Sequence, residues 1–335
     1  MEEKALRLSA VFLMILTAVS FVLLPKLPAL HTWEVEAREE RIAEEEFAQS
    51  QVTMQNLKIK EQNEAAGAKG ELSIRLPEGV TGDQIAVSSD YVTQTIRVEI
   101  PQADRTYFDS YPVLGNSDYI DGLSYTRQGE TGVIEVTTNR VYELQTEYDT
   151  QNFYFNFLTP HEVYDKVVVI DAGHGGRAVG ANKQGINEKD IDLAIVLKLK
   201  EIFDNSDQNI GVYYTRTDDS NPTFDQRVQL ANKSDADLFI SIHNNSTRSG
   251  RMSGTSGTQV MYDETSEASR QFAQICLEEV TGRIGSRDKG LVEGDSIYII
   301  RTSEVPVALI EVGFMTNKDE LEKLNSDAYQ RETAE

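Results

Sequence analysis

The segment Lys166-Val167-Val168-Val169-Ile170-Asp171-Ala172-Gly173-His174-Gly175-Gly176 constrains this chain more than any other. A run of β-branched residues reads as a strand buried on both faces, which is the environment of a parallel sheet. It ends in a glycine-rich turn that presents an imidazole, and glycine removes the side chains that would crowd whatever that imidazole touches. Two further apolar runs end on polar groups, Leu238–His243 on an imidazole and Val307–Glu311 on a carboxylate; Glu188 is a second carboxylate. In a parallel sheet such strand ends converge on one edge, where sites form. Two histidines and a carboxylate there make a zinc ligand set with one position left for water. The separations are far too long for a zinc finger and suit ligands gathered from different strands.

Pieces matching one family stand in order along residues 166–330. They are Ile170–Gly176, Asn187-Glu188-Lys189-Asp190-Ile191-Asp192-Leu193, Tyr214-Thr215-Arg216-Thr217-Asp218, Arg227 with Ala231-Asn232, Asp237–Asn245, and Glu311-Val312-Gly313-Phe314-Met315-Thr316-Asn317. The set resembles the catalytic domain of the zinc-dependent N-acetylmuramoyl-L-alanine amidases, the type 3 cell-wall amidases. The resemblance implies one zinc ion held by His174, Glu188 and His243, with Glu311 as the catalytic carboxylate. It implies peptidoglycan as substrate, cleaved between the N-acetylmuramic acid lactyl group and L-alanine in wall turnover or cell separation. Asn244, Asn245 and Arg216 are candidates for substrate contact or for support behind the ligands. Asp171 reads as a strand-end or supporting residue. Some family members insert a long helix after the second histidine strand that plugs the site until an activator binds. Here only Ser246 to Ser256 follows His243-Asn244-Asn245, too short for such a plug, so no activator is expected on that account.

Rival chemistries lack their signatures. No Gly-x-Ser-x-Gly accompanies the His174 turn, which argues against a serine hydrolase. The Walker spacing and its lysine are missing, which argues against a phosphate cradle. A net charge of −23 over 335 residues leaves no basic surface for nucleic acid. The single cysteine, Cys276, falls on the helical stripe Phe272, Cys276, Val280 and reads as a small core residue.

Around this unit the chain divides into four. Residues 1–30 hold the apolar run Leu8–Leu24 preceded by Lys4 and Arg7, which predicts a single-pass signal anchor with the catalytic unit outside the cell membrane. Secretion after signal cleavage is the alternative. Residues 31–70, rich in glutamate, read as an acidic helical or disordered stalk and linker. Residues 71–160 show short alternating runs such as Val92, Gln94, Ile96, Val98, Ile100, separated by turn signals, and predict a small all-β domain of sandwich type. Its size and position resemble the AMIN module of some amidases. Residues 161–335 predict an α/β catalytic domain, a mostly parallel twisted sheet with helices on both faces. Strands are expected near 166–171, 210–215, 237–242, 257–262, 296–301 and 306–311, and helices near 188–204, 223–234, 265–283 and after Asn317. The short closing segment 327–335 is expected to fray, because isolated short helices are marginal in water.

Overall fold

A computed structural model of the chain describes residues 27–61 and 69–335. The first element is a long helix, α1 (Leu27–Ser50). It is followed by two short strands, β1 (Gln55–Asn56) and β2 (Lys60–Glu61). Eight strands follow: β3 (Leu72–Arg75), β4 (Ala86–Asp90), β5 (Thr95–Pro101), β6 (Leu114–Gly115), β7 (Ile120–Gln128), β8 (Thr131–Thr138), β9 (Glu143–Tyr148) and β10 (Asn152–Leu158). A short helix α2 (Arg105–Ser110) lies between β5 and β6. They form two five-stranded sheets, ordered β1-β7-β8-β5-β4 and β2-β6-β3-β10-β9. Alternate residues such as Ile96, Val98 and Ile100 of β5 and Phe153, Phe155 and Phe157 of β10 meet in one core between them. Residues 55–61, expected to belong to the linker, supply an edge strand to each sheet; β2 pairs with β6 in parallel.

After a short helix α3 (Pro160–Val163), the chain alternates strand and helix. The elements are β11 (Lys166–Ala172), the hairpin β12 (Asn182–Lys183) and β13 (Ile186–Asn187), α4 (Glu188–Asp204), β14 (Ile210–Tyr214), α5 (Phe224–Lys233), β15 (Leu238–Asn245), β16 (Thr258–Tyr262), α6 (Glu267–Ile284), β17 (Asp288–Glu293), α7 (Tyr298–Arg301), β18 (Val307–Phe314), α8 (Lys318–Leu324) and α9 (Asp327–Ala334). The six-stranded sheet runs β14-β11-β15-β18-β16-β17, parallel except for the β16–β18 pair. Strand β11 shows why both faces are apolar. Val168, Ile170 and Ala172 pack with Ile191 and Ile195 of α4 and Ala273 and Leu277 of α6, whereas Val167 and Val169 pack with Val228 and Leu230 of α5 and Ile299 of α7. The chain leaves β11 to β14 on one side and returns to β15 on the other, so the carboxyl end of β11 is the topological switch point.

Three expectations change. The run 296–301 largely forms helix α7 rather than a strand, and the additional strand is β17, eight residues earlier, paired in parallel on the outer edge of β16. The closing segment does not fray. Ser326 caps α9 by accepting from the Tyr329 amide, and Gln330 and Ala334 are buried, so tertiary packing supplies what a short helix lacks alone. Among the described residues no helix is long and apolar enough to cross a membrane. The single-pass anchor, the membrane partner and the cell-membrane location are corrected on that finding; the run Leu8–Leu24 itself lies outside the described residues. The one long N-terminal helix that is described, α1, carries glutamates where a membrane span would need apolar side chains.

Candidate metal centre and active site

Four elements bring the expected residues to the switch point. His174 stands two residues beyond β11, Glu188 opens α4, His243 lies in β15, and Glu311 is its neighbour across the parallel β15–β18 pair. Glu188 Oε1 lies 3.1 Å from His174 Nε2 and 3.3 Å from His243 Nδ1. The two imidazole rings meet edge to face at 4.8 Å between centroids. Ligand atoms of His174, Glu188, Asp192 and His243 all fall within 4.8 Å of one another. Asp192 was not singled out from the sequence. It sits one helical turn after Glu188, a spacing that puts both carboxylates on the same face of α4.

The His174 turn is held from beneath. His174 has φ +58°, a left-handed conformation that costs a non-glycine residue about 1–3 kcal/mol unless its surroundings impose it. Arg227, buried on α5, imposes it: Nη2 donates to the His174 carbonyl at 2.6 Å and Nη1 to the Ala172 carbonyl at 2.7 Å. The same Nη1 donates to Asp171 Oδ1 at 2.6 Å. Asp171 also accepts from Thr215 Oγ1 and Ser241 Oγ, each at 2.6 Å. Burial alone would raise the Asp171 carboxyl, but Arg227, His243 and the two hydroxyls hold it down, to about 2. Arg216 donates to the carbonyls of Ala172, Gly173, Lys189 and Asp218. Its guanidinium is therefore spent on shaping the turn rather than facing a ligand. Gly173 is required by crowding, since a Cβ there would stand 2.4 Å from the His243 ring.

The carboxylates differ in charge because their partners differ. Glu188 accepts from the Ala181 amide at 2.7 Å and the Asn244 amide at 3.1 Å. Burial opposes its ionisation, but the two histidines outweigh it and keep the group well below the usual carboxylate range. Asp192, bonded to Asn244 Nδ2 at 2.7 Å, is driven well above that range by burial and by the Glu188 charge. Glu311 is pushed up to about 8 by burial and by Glu188. Asp192 Oδ2, Asn244 Oδ1 and Glu311 Oε2 are shielded from solvent without a hydrogen-bond partner. Of the remaining candidates, Asn244 supports Glu188 and Asp192 from behind, and Asn245 donates to Gln259 Oε1 at 3.2 Å while lining the cleft.

The cleft over the site measures about 710 Å³ and is walled by Asn182, Lys183, Asn245, Met261 and Ile297, and on one side by α1. That wall was not anticipated. Glu39 of α1 accepts from His174 Nδ1 at 3.1 Å, so the segment expected to be a solvated stalk reaches the centre of the site.

The catalytic unit is similar in sequence to known proteins. Residues 168–335 match the family Amidase_3, described as N-acetylmuramoyl-L-alanine amidase. The uncharacterized protein YqiI of Bacillus subtilis (strain 168) is 38% identical over 176 residues, 51% of this chain and 80% of that protein. The N-acetylmuramoyl-L-alanine amidase CwlM of Bacillus licheniformis is 33% identical over 162 residues, 48% of this chain and 62% of that protein. Among solved structures, an N-acetylmuramoyl-L-alanine amidase from Clostridium difficile 630 aligns at 33% identity with a TM-score of 0.48, over 50% of this chain and 90% of that one. With its sequence matched from Val168 to the last residue and its strand-end histidines and carboxylates converging on one cleft, the chain belongs to the Amidase_3 family of N-acetylmuramoyl-L-alanine amidases.

Proposed function

We propose that this chain hydrolyses the amide between the lactyl group of N-acetylmuramic acid and the L-alanine of the peptidoglycan stem peptide. One zinc ion would be held by His174, Glu188 and His243, with Glu311 as general base. Family membership supports the reaction class. The observation that carries the metal is the convergence of two imidazoles and buried carboxylates within 4.8 Å. The residues fit a cation. His174 lies between Glu188 and Glu39, each 3.1 Å away, and this concentration of carboxylates around the imidazoles favours a dication. The nitrogen and oxygen donor set is that of hydrolytic zinc enzymes.

Zinc in such a set supplies Lewis acidity toward a carbonyl oxygen and lowers the pKa of water to about 7. The chain's own residues do the rest. Arg227, Arg216 and Asp171 fix the His174 turn, and the Ala181 and Asn244 amides fix Glu188, so the ligands are organised before the metal arrives. Glu311 ends in a shielded oxygen with no hydrogen-bond partner. It would take a proton from the attacking water and return it to the departing alanine nitrogen. The acidic surface does not steer an anionic wall, so recognition rests on contacts in the cleft. We read the β sandwich as an accessory module of the AMIN type, on its size and its place before the catalytic unit. Export with signal cleavage would bring the enzyme to a substrate outside the cytoplasm.

The test is metal analysis of the purified full chain, with mass spectrometry of peptidoglycan digests with and without chelator. The expected result is one zinc per chain and stem peptides released with a free alanine amine, lost on chelation and restored by zinc. Cleavage that persists unchanged in the metal-free protein would contradict the proposal.

A further inference from the structure

A docked helix ordinarily buries an apolar stripe, but α1 does the reverse. Its less exposed positions are Glu36, Glu39, Glu40, Ile42, Ala43 and Glu46, so that glutamates dominate the inward face, whereas Val35 and Phe47 are exposed. Each inward glutamate has a donor waiting on the catalytic unit. Glu36 accepts from the Tyr298 amide at 2.7 Å and lies 3.6 Å from Arg301. Glu40 accepts from the Phe224 amide, at the start of α5, at 2.7 Å. Glu46 accepts from the Arg177 amide and Nε, each at 3.0 Å, and from Asn221 Nδ2 at 2.9 Å, while Glu45 pairs with Arg177 Nη2 at 3.0 Å. Between these anchors Glu39 meets His174. The helix is seated on both shoulders of the site and crosses it.

We infer that α1 is an acidic strap that closes the active-site cleft, held by Glu36, Glu40 and Glu46 and latched on His174 by Glu39, and that it must lift for a peptidoglycan strand to enter. This inference rests on the reading of the cleft as the amidase site. Three features favour a removable cover over a permanent wall. The contacts are charged and hydrogen-bonded rather than apolar, and such contacts at a part-exposed boundary are individually weak. Residues 51–54 join the strap to β1, and no described side chain of α1 belongs to any of the hydrophobic clusters, so it can lift without breaking a core. Glu39 occupies the face of His174 that lines the cleft, and the cover and a substrate would compete for one space. The short loop after His243 gives no plug, and the occlusion comes instead from a segment far away in sequence.

The experiment uses the full chain and leaves every proposed ligand, and Glu39, in place. Glu36→Lys with Glu45→Lys and Glu46→Lys sets like charges against Arg301 and Arg177. Adding Arg177→Glu to that triple variant restores opposite charges at one anchor. Hydrogen exchange of residues 36–46, the rate of zinc loss to a chelator, and stem-peptide release from purified sacculi are measured on all three proteins. In wild type the helix amides should be protected, and the triple variant should lose that protection. It should release peptide at least about tenfold faster, the gain expected for a strap open a tenth of the time or less. It should also lose zinc faster to chelator, and Arg177→Glu should move all three readings back toward wild type. Equal exchange in wild type and triple variant, or measurable and equal peptide release with zinc bound in both, would overturn the strap. If no variant cleaves sacculi although zinc is bound, the amidase reading fails; exchange and zinc-loss rates that differ between the proteins still uphold the strap, and rates that do not differ overturn it.

Discussion

Removing the Asp171 carboxylate should unmake the platform beneath His174, and the structure sets the scale. Asp171 and Arg227 are 1% and 2% exposed, and their ion pair at 2.6 Å is the most deeply buried among the described residues. Asp171→Ala leaves a guanidinium in the interior without its counter-charge, which costs about 3–5 kcal/mol. Thr215 and Ser241 lose their acceptor as well, at about 1 kcal/mol each. These losses share one site and do not add fully, so the expected destabilisation is about 4–6 kcal/mol. For a unit of this size each kcal/mol moves the midpoint by about 2–4 °C, which gives a fall of about 8–24 °C. Scanning calorimetry of the full chain, following the transition that added zinc raises, reads this directly. Replacing both partners, Asp171→Ala with Arg227→Met, removes the stranded charge and should recover part of the loss. Its zinc affinity should nonetheless stay low, because the His174 carbonyl has lost its donor. A fall below about 1 kcal/mol for Asp171→Ala would refute the argument that this pair carries the turn.

Other outcomes follow from single contacts. Gly173→Ala puts a Cβ against the His243 ring, so it should weaken zinc binding sharply while far-ultraviolet circular dichroism stays unchanged; normal zinc content would contradict it. His174→Ala and His243→Ala should each lose zinc and cleavage together, since two remaining protein ligands rarely hold the metal tightly; retention of stoichiometric zinc would remove that residue from the ligand set. Cys276 is buried on α6 and its thiol is pushed up to about 12 by burial, so thiol reagents should label it only after unfolding. Rapid labelling of the native chain would show that α6 does not pack as described.

The convergence of His174, His243 and Glu311 was legible because parallel-sheet architecture gathers residues at strand ends. The runs Val167–Ile170, Leu238–Ile242 and Val307–Ile310 read as buried strands, and the polar residues at or just past their ends fall on one edge of the sheet. The sandwich was legible through the alternation in β5 and β10. Short elements were not. Tyr298-Ile299-Ile300-Arg301 is too brief for its apolar content to separate helix from strand. Strand β17 is an edge strand of mostly half-exposed residues carrying Gly290, which conceals its pairing. Arg227 stood in the sequence only as a motif position, and its buried bond to Asp171, fifty-six residues away, appears only in the fold. The largest departure, α1, hid behind its composition. A glutamate-rich segment reads as solvated, and only the three-dimensional placement of Arg177, Arg301 and the exposed amides of Phe224 and Tyr298 turns that charge inward.

The account stands most directly on Glu311→Gln, with zinc content and stem-peptide release measured on the same protein sample. The substitution keeps the size and hydrogen-bonding reach of the side chain and removes its basicity, and it spares His174, Glu188 and His243. The expected result is full zinc content with cleavage slowed by about 10²- to 10⁴-fold, the share of general acid–base catalysis. Full zinc content with near-wild-type release of stem peptide would contradict the assignment of Glu311 as the base.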